Sequence, residues 1–447
     1  MKFSLTTSFA KLAFLSLLAV FLLSVGGRLA ATRGNFEACA GWPLCVPQGA
    51  IGWALLFHRI SVSAAVVLML ALLFYAWEMQ RDHRLLLPLT TATVILFFAQ
   101  AFTGAILVTV RLSAHGEARD FAPAYQVFHS LTVLALWVSL LSLVVVSGFL
   151  AKDAVAFPPL DVVQRLKDFL TLTKPIIVAL LLVTTFAGLV AGGKTWPSFP
   201  LTFWTLLGGA LAAGGSGAIN QYIDRDLDKH MQRTARRPMA AGRMMPAEGL
   251  AFGLALCIIS FYLLAGFVNF LAAFLSLAGM IYYIVLYSIL LKKATVQNIV
   301  IGGGAGAIPP LVGWAAATGR LDIPALFLFA IVFTWTPPHF WALALVRCNE
   351  YAHAGVPMLP VVRGEAETRK QVLIYTILLV TLSLSMSVFH FAGNVYLVSA
   401  LALGGGLLYA AWRVYRVESN KAAWQMYRYS SMYLMLLFLA LMVDALV

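Results

Sequence analysis

Asn220, Asp224 and Asp228 recur every four residues in the run Asn220-Gln221-Tyr222-Ile223-Asp224-Arg225-Asp226-Leu227-Asp228, at the inner end of a hydrophobic segment. In a helix that spacing stacks the three side chains on one face, about a turn apart. Two carboxylates and an amide in register offer oxygen ligands to a hard divalent cation. Mg²⁺ takes few protein oxygens and shares the rest of its shell with substrate phosphates. Lys229, Arg233, Arg236, Arg237 and Arg243 follow at once. Carboxylates, a cation and guanidinium groups together make a diphosphate site. A charged helix end anchored at a membrane surface would also carry charge, but it has no use for three oxygen ligands in register.

Such a face needs a helix, and composition says of what kind. Of 447 residues 61% are hydrophobic and 11% charged, and the mean hydropathy is +0.88. A soluble domain carries roughly a quarter charged residues. The chain is therefore expected to be an all-α integral membrane protein, because long apolar runs favour helices over the alternating strands of a barrel. A net charge of +13 would also suit nucleic acid. The charges sit in short loops, however, where they act as topology signals, so no nucleic-acid partner is expected.

About thirteen apolar runs are long enough to span a bilayer. They centre near Val20, Val66, Phe98, Trp137, Leu182, Ala210, Ile258, Met280, Ala307, Ile331, Leu378, Gly404 and Leu437. With the N-terminus cytoplasmic, basic clusters such as Arg81/Arg84, Arg165/Lys167/Lys174, Lys292/Lys293, Arg363/Arg369/Lys370 and Arg413/Arg416/Lys421/Arg428 share one side. The Asp224 face then opens to the cytoplasm of a multi-pass cell-membrane protein. The first run follows Lys11 and ends near Gly26, in the manner of a signal peptide; it is expected to stay as a helix. A polar, proline-containing stretch at residues 151–173 separates about four spans from about nine. The expected modules are 1–155 and 156–447, with no convincing repeat between them.

A second polar loop, Arg347-Cys348-Asn349-Glu350-Tyr351 and onward to Pro360, belongs to the same side as Asp224. Glu350 there can add a second metal or diphosphate contact, or stand as a plain loop charge. Lys292 and Lys293 could neutralise a departing diphosphate or serve only as anchors. The implied substrate has a diphosphate head and a hydrocarbon tail. Loss of diphosphate leaves an allylic carbocation, which aromatic faces can stabilise. Tyr222, Tyr282, Tyr283, Tyr287, Trp335 and Phe340 are available, and each could equally be packing. His339, beside Pro337-Pro338, is a polar ring at membrane depth. It could meet a haem iron or propionate, or hydrogen-bond a carbonyl that the prolines free.

The run from Asn220 to Arg237-Pro238, with Gly242 beyond, resembles the first signature of the intramembrane prenyltransferases of the UbiA type. Three more stretches resemble one branch, the protohaem IX farnesyltransferases (haem O synthases). They are Gln297 to Gly303 with Gly306 and Pro309 to Trp314, Pro338-His339-Phe340-Trp341, and Tyr351 with Ala354 to Pro360. The similarity covers about residues 166–447. It implies nine helices around a central cavity, farnesyl diphosphate as donor, haem b as acceptor and Mg²⁺ as cofactor. It also implies that Asn220, Asp224 and Asp228 hold Mg²⁺–diphosphate, with Arg233 and Arg237 on phosphate oxygens. Glu350 stands where the family usually has aspartate before the tyrosine, so the acid reaches further. Ala294-Thr295-Val296 stands where a basic residue and a proline are common.

The N-terminal module carries His58 and His129 at matched depth in two spans, roughly 10 Å from the outer end at 1.5 Å per residue. That arrangement suits bis-histidine haem ligation in a bundle, although a single helical histidine is more often structural. Cys39 and Cys45 lie in the first outward loop, where a disulfide can form. Gly26-Gly27, Trp42 to Cys45, His58-Arg59, Gln100 with Gly104, and His129 resemble the first half of haem A synthase. That resemblance implies haem ligation by both histidines. Only one of the family's two halves is present, and Leu55 replaces a glutamate usual three residues before the first histidine. The expectation is a haem-binding module, a receiver of haem or a partner for a separate haem A synthase. Prenylation of another aromatic or tetrapyrrole acceptor, and a non-catalytic haem-binding membrane protein, are the competing readings.

Overall fold

A computed structural model describes residues 7–31, 46–79, 85–113, 118–150, 162–244 and 246–447. Cys39 and Cys45 lie outside the described residues. Every regular element among them is helical. The chain divides into two compact units, Met1–Pro159 and Leu160–Val447, a boundary four residues beyond the one expected.

The first unit holds α1 (Ser8–Ala31), α2 (Gly49–Met79), α3 (Leu86–Ser113) and α4 (Ala118–Leu150). α1 packs on α2 and α4, and α3 on α2 and α4, so each helix touches two neighbours. Leu72, Leu140, Leu143 and Met69 fill its interior, fully buried. Long exposed side chains such as Phe57, Val67 and Phe74 cover its outside. Apolar residues all round a helix are expected where the solvent is lipid.

The second unit opens with α5 (Val162–Leu172), a short amphipathic helix. Then come α6 (Pro175–Gly193), α7 (Phe199–Asp228), α8 (Pro246–Phe267) and α9 (Phe270–Ile281), the last running into a π-helix, Tyr282–Leu291. α10 (Asn298–Gly302), α11 (Gly304–Thr318), α12 (Ile323–Val346), α13 (Cys348–His353), α14 (Leu359–Val388), α15 (Asn394–Val417) and α16 (Asn420–Leu446) complete it. Successive long helices pack on one another and α16 returns to α6, closing the bundle. Its core runs through Trp314, Trp341, Tyr396, Tyr433 and Phe438.

Eleven helices among the described residues are long and apolar enough to cross a membrane, against about thirteen expected. In α1 only the stretch Ser8–Ser24 counts, as a shorter apolar helix. α7 is absent from the eleven. Its glycines and its Thr, Ser and Asn residues lower its hydropathy, although it runs for thirty residues. The same small residues let neighbours approach closely.

Candidate functional site

The diphosphate-type face forms at the C-terminal end of α7. Asn220, Asp224 and Asp228 are buried, at 3%, 1% and 3% exposure. Such depth for two carboxylates requires partners. Asn220 Nδ2 donates to Asp224 Oδ2 at 2.8 Å, so the amide and the first carboxylate lie in register. Lys292 forms an ion pair with Asp224. One terminal nitrogen of Arg237 reaches both oxygens of Asp228, at 3.0 and 2.8 Å. The chain turns back after α7 to deliver it: Thr234 Oγ1 donates to the Asp228 carbonyl at 3.1 Å. Asp224 Oδ1 stays buried with no hydrogen-bond partner.

The π-helix supplies the opposite wall. Its wider turn aligns Tyr283, Ser288 and Lys292 along one line facing α7. Asn220 Nδ2 donates to Ser288 Oγ at 3.0 Å, while Ser288 Oγ donates to the Tyr283 carbonyl at 2.9 Å. Tyr283 and Tyr287 stack with centroids 5.6 Å apart. π-Helical turns recur at functional sites because they re-aim side chains that an α-helix would spread.

Lys174 is the residue that sequence reasoning missed. In the sequence it stands only as one of the basic cluster Arg165/Lys167/Lys174. It caps the N-terminus of α6 in a left-handed conformation, φ 55°. From there Lys174 Nζ donates to Asn220 Oδ1 at 2.6 Å and to the Tyr283 hydroxyl at 3.3 Å. Burial lowers its ammonium to about 7, and Arg237 and Lys292 push the same way, while Asp224 and Asp228 oppose them. Three cations thus crowd one pair of carboxylates. A lysine immediately before the proline that opens a span was the available signal.

The other expected residues fall less uniformly. Lys293 is exposed and stands apart from the Lys292 ion pair. Arg233 is exposed but acts electrostatically on Tyr351 and Tyr287. Glu350 pairs with Arg347 at 2.7 Å, and its Oε2 is buried without a partner. Tyr351, whose hydroxyl burial pushes upward in pKa, packs against the cluster of Leu227, Val356 and Met358. The second loop is thereby tied to the end of α7. Of the aromatic candidates, Tyr283 and Tyr287 reach the acidic face. Tyr282 instead donates to the Ile301 carbonyl at 2.6 Å, and Arg225 sits over Tyr222 at 4.7 Å.

His339 is buried in α12. Its Nδ1 hydrogen-bonds Ser430 Oγ at 2.7 Å, a hydroxyl of α16 rather than a carbonyl freed by the prolines. Its ring stacks between Trp335 and Tyr427, with centroids 4.2 and 4.5 Å away.

In the first unit each histidine rests on a glycine of a neighbouring helix. A Cβ at Gly27 would lie 2.8 Å from His58 Cε1, and one at Gly104 would lie 3.1 Å from His129 Cε1. The two imidazoles interact electrostatically. His129 Nδ1 bonds Thr103 Oγ1 at 3.0 Å and Nε2 faces Gln100 Nε2 at 2.8 Å. His58 Nδ1 is buried without a partner.

Among the described residues no three or more His, Cys, Asp or Glu side chains are placed together to hold a metal ion by themselves. Two carboxylates, an amide and an orphaned buried oxygen do fit a hard cation that takes few protein ligands and completes its shell on phosphates.

The model of the UbiA prenyltransferase family matches residues 181–440. A protohaem IX farnesyltransferase of Roseiflexus sp. (strain RS-1) is 41% identical over 455 residues, covering 98% of this chain and 84% of that protein. The protohaem IX farnesyltransferase of Azotobacter vinelandii is 48% identical over 278 residues, covering 62% of this chain and 93% of its own. The structure of a digeranylgeranylglyceryl phosphate synthase shares the fold at a TM-score of 0.55, with 18% identity over 63% of this chain and 99% of that one.

Proposed function

The chain belongs to the UbiA prenyltransferase family, and from that premise we propose that it transfers the farnesyl group of farnesyl diphosphate to a vinyl group of haem b, making haem O. Its close relatives are named for that reaction. The observation that carries the chemistry is the buried register of Asn220, Asp224 and Asp228 under a ring of cations.

In this reading Asn220, Asp224 and Asp228 hold Mg²⁺ with the diphosphate. A cation held there would supply charge withdrawal from the leaving oxygens. Lys174, Lys292, Arg233 and Arg237 take the phosphate oxygens as the C–O bond of the donor breaks. Diphosphate departs with the bonding pair, and the allylic cation is left beside the stacked faces of Tyr283 and Tyr287. The vinyl carbon of haem b then forms the new C–C bond, and water adds to the cation that remains, giving up its proton to the departed diphosphate. His339 lies in the aromatic stack as an acceptor-side contact, and Glu350 with Tyr351 braces the second loop. The site faces the cytoplasm, consistent with the basic ends of the helices around it.

The N-terminal unit we assign to haem binding by His58 and His129, as a receiver or as a partner of a separate haem A synthase. The orphaned Nδ1 of His58 and the two glycine seats support that assignment.

Asp224→Asn tests the transferase reading, because it keeps the shape and removes the charge. Metal-assisted stabilisation is worth several kcal/mol, so haem O formation should fall by about 10³-fold or more. The measurement is chromatography with mass spectrometry of haem extracted from a haem-O-deficient host. Full haem O from the variant would refute the metal site. Haem b alone from both wild type and variant would point to another acceptor.

A further inference from the structure

Away from the diphosphate face, α14 and α15 flank a half-open surface depression of about 560 Å³ lined by Glu367, Arg369, Lys370, Tyr415, Arg416 and Glu418. It sits at the N-terminal end of α14 and the C-terminal end of α15. Arg369 forms its wall and is nearly buried. It bonds Glu365 at 2.6 Å and Glu418 at 3.6 Å, so its charge is already answered. Glu418 caps α15 in a left-handed conformation, φ 43°, which a non-glycine residue adopts only at a cost. The contact with Arg369 holds it at the rim. Lys370 and Arg416 make no hydrogen bond or ion pair among the described residues. Glu367 takes a bond from Gln371 at 2.7 Å and keeps its second oxygen for another donor.

The depression thus presents two exposed, unpaired cations, Lys370 and Arg416, beside Glu367 and an exposed Glu418 whose one ion pair is the long 3.6 Å contact to Arg369. Its flank is aromatic and exposed: Tyr409 at 60%, Trp412 at 49% and Tyr415 at 45%. Trp and Tyr in that pattern mark the headgroup level of a bilayer. Basic pockets between membrane helices at that level bind lipid headgroups. Here the carboxylates add a constraint. A purely anionic headgroup would meet Glu367 and Glu418 as like charges. A headgroup with both a phosphate and a primary ammonium satisfies every group at once.

We propose that this depression is a phospholipid site selective for a phosphoethanolamine headgroup, with Lys370 and Arg416 on the phosphate and Glu367 and Glu418 on the ammonium. The site does not depend on the transferase reading, since none of its residues belongs to the Asp224 face.

The test is native mass spectrometry of the full chain in detergent, titrated with phosphatidylethanolamine, phosphatidylglycerol and phosphatidylcholine of identical acyl chains. Phosphatidylethanolamine should bind in preference to both. Phosphatidylcholine should lag because a trimethylated ammonium donates no hydrogen bond to a carboxylate. Lys370→Ala with Arg416→Ala should weaken binding by roughly 30-fold, at about a tenfold factor or less per cation. Glu367→Gln with Glu418→Gln should turn the preference toward phosphatidylglycerol. Equal or tighter binding of phosphatidylglycerol by the wild type overturns the proposal. So does undiminished phosphatidylethanolamine binding by the Lys370/Arg416 variant, or displacement of the lipid by millimolar inorganic phosphate, which would mark a site for soluble phosphate. Should either double variant fail to fold, Lys370→Gln and Arg416→Gln singly decide the same question.

Discussion

At the scale of residues, the site is a balance of charges that water does not screen. Asp224 and Asp228 are buried, and three cations meet them: Lys174 through Asn220, Lys292 and Arg237 directly. Removing one member of a buried pair costs about 3–5 kcal/mol because the other is left uncompensated. In the proposed role, a metal–diphosphate head would bring charges of both signs to these pairings. Lys174 is the decisive member, because it joins the head of α6 to both walls, through Asn220 and the Tyr283 hydroxyl. Lys174→Met keeps the length and removes the ammonium. A hydrogen bond to a charged group is worth about 1.5–3 kcal/mol, so kcat/KM for farnesyl diphosphate should fall roughly tenfold to a hundredfold. A positioning role predicts that the loss appears mainly in KM; unchanged kinetics would remove Lys174 from the site. The acidic half of this balance was legible in the sequence, since a spacing of four on a helix fixes a face. The third cation was not. Nothing in the sequence says that Lys174 adopts a left-handed conformation, or that α6 begins against α7. Lys292 and Lys293 are adjacent in the sequence, yet both lie in the turn that ends the π-helix, where Lys292 pairs with Asp224 and Lys293 faces outward.

At the scale of elements, two devices build the site. The first is the π-helix at Tyr282–Leu291. Its one extra residue per turn brings Tyr283, Ser288 and Lys292 into one line, a placement that a regular 3.6-residue reading of the sequence distributes around the axis. The second is close backbone approach. Gly188 of α6 faces the Pro310 carbonyl, and Gly313 of α11 faces the Thr185 carbonyl. The α6–α11 crossing is consequently backbone against backbone, and it fixes where Lys174 at the head of α6 can stand. Gly313→Ala would drive a methyl group into a carbonyl that no rotamer change can move. Overpacking costs about 1–3 kcal/mol. The expected result is a lower thermal unfolding midpoint in detergent and a loss of transfer larger than the stability change alone explains. An unchanged midpoint would mean that α6 and α11 separate freely. The Pro309-Pro310 and Gly313 stretch was readable as a family resemblance, but its purpose was not: sequence shows small residues, while only the fold shows which carbonyl they meet.

At the scale of the whole molecule, the chain carries two compact units, each with its own core. The Roseiflexus relative aligns with 98% of this chain, whereas the Azotobacter relative aligns with 62% of it while using 93% of its own length. The farnesyltransferase unit thus occurs without a counterpart of the N-terminal helices along nearly the whole of that relative. For the N-terminal unit the role proposed above is haem binding. Its histidines argue for haem: each ring is seated on a glycine that a Cβ would crowd, and His58 leaves a buried nitrogen unanswered. Carrying His58→Ala and His129→Ala together in the full chain separates the two units' roles. The Soret absorbance of the purified protein should drop by the share that the N-terminal unit holds, while haem O production in a haem-O-deficient host persists. A Soret band left unchanged would dismiss the two histidines as ligands. A Soret loss accompanied by loss of haem O would instead tie the units together, making the N-terminal site an obligatory source of haem for the reaction at Asp224.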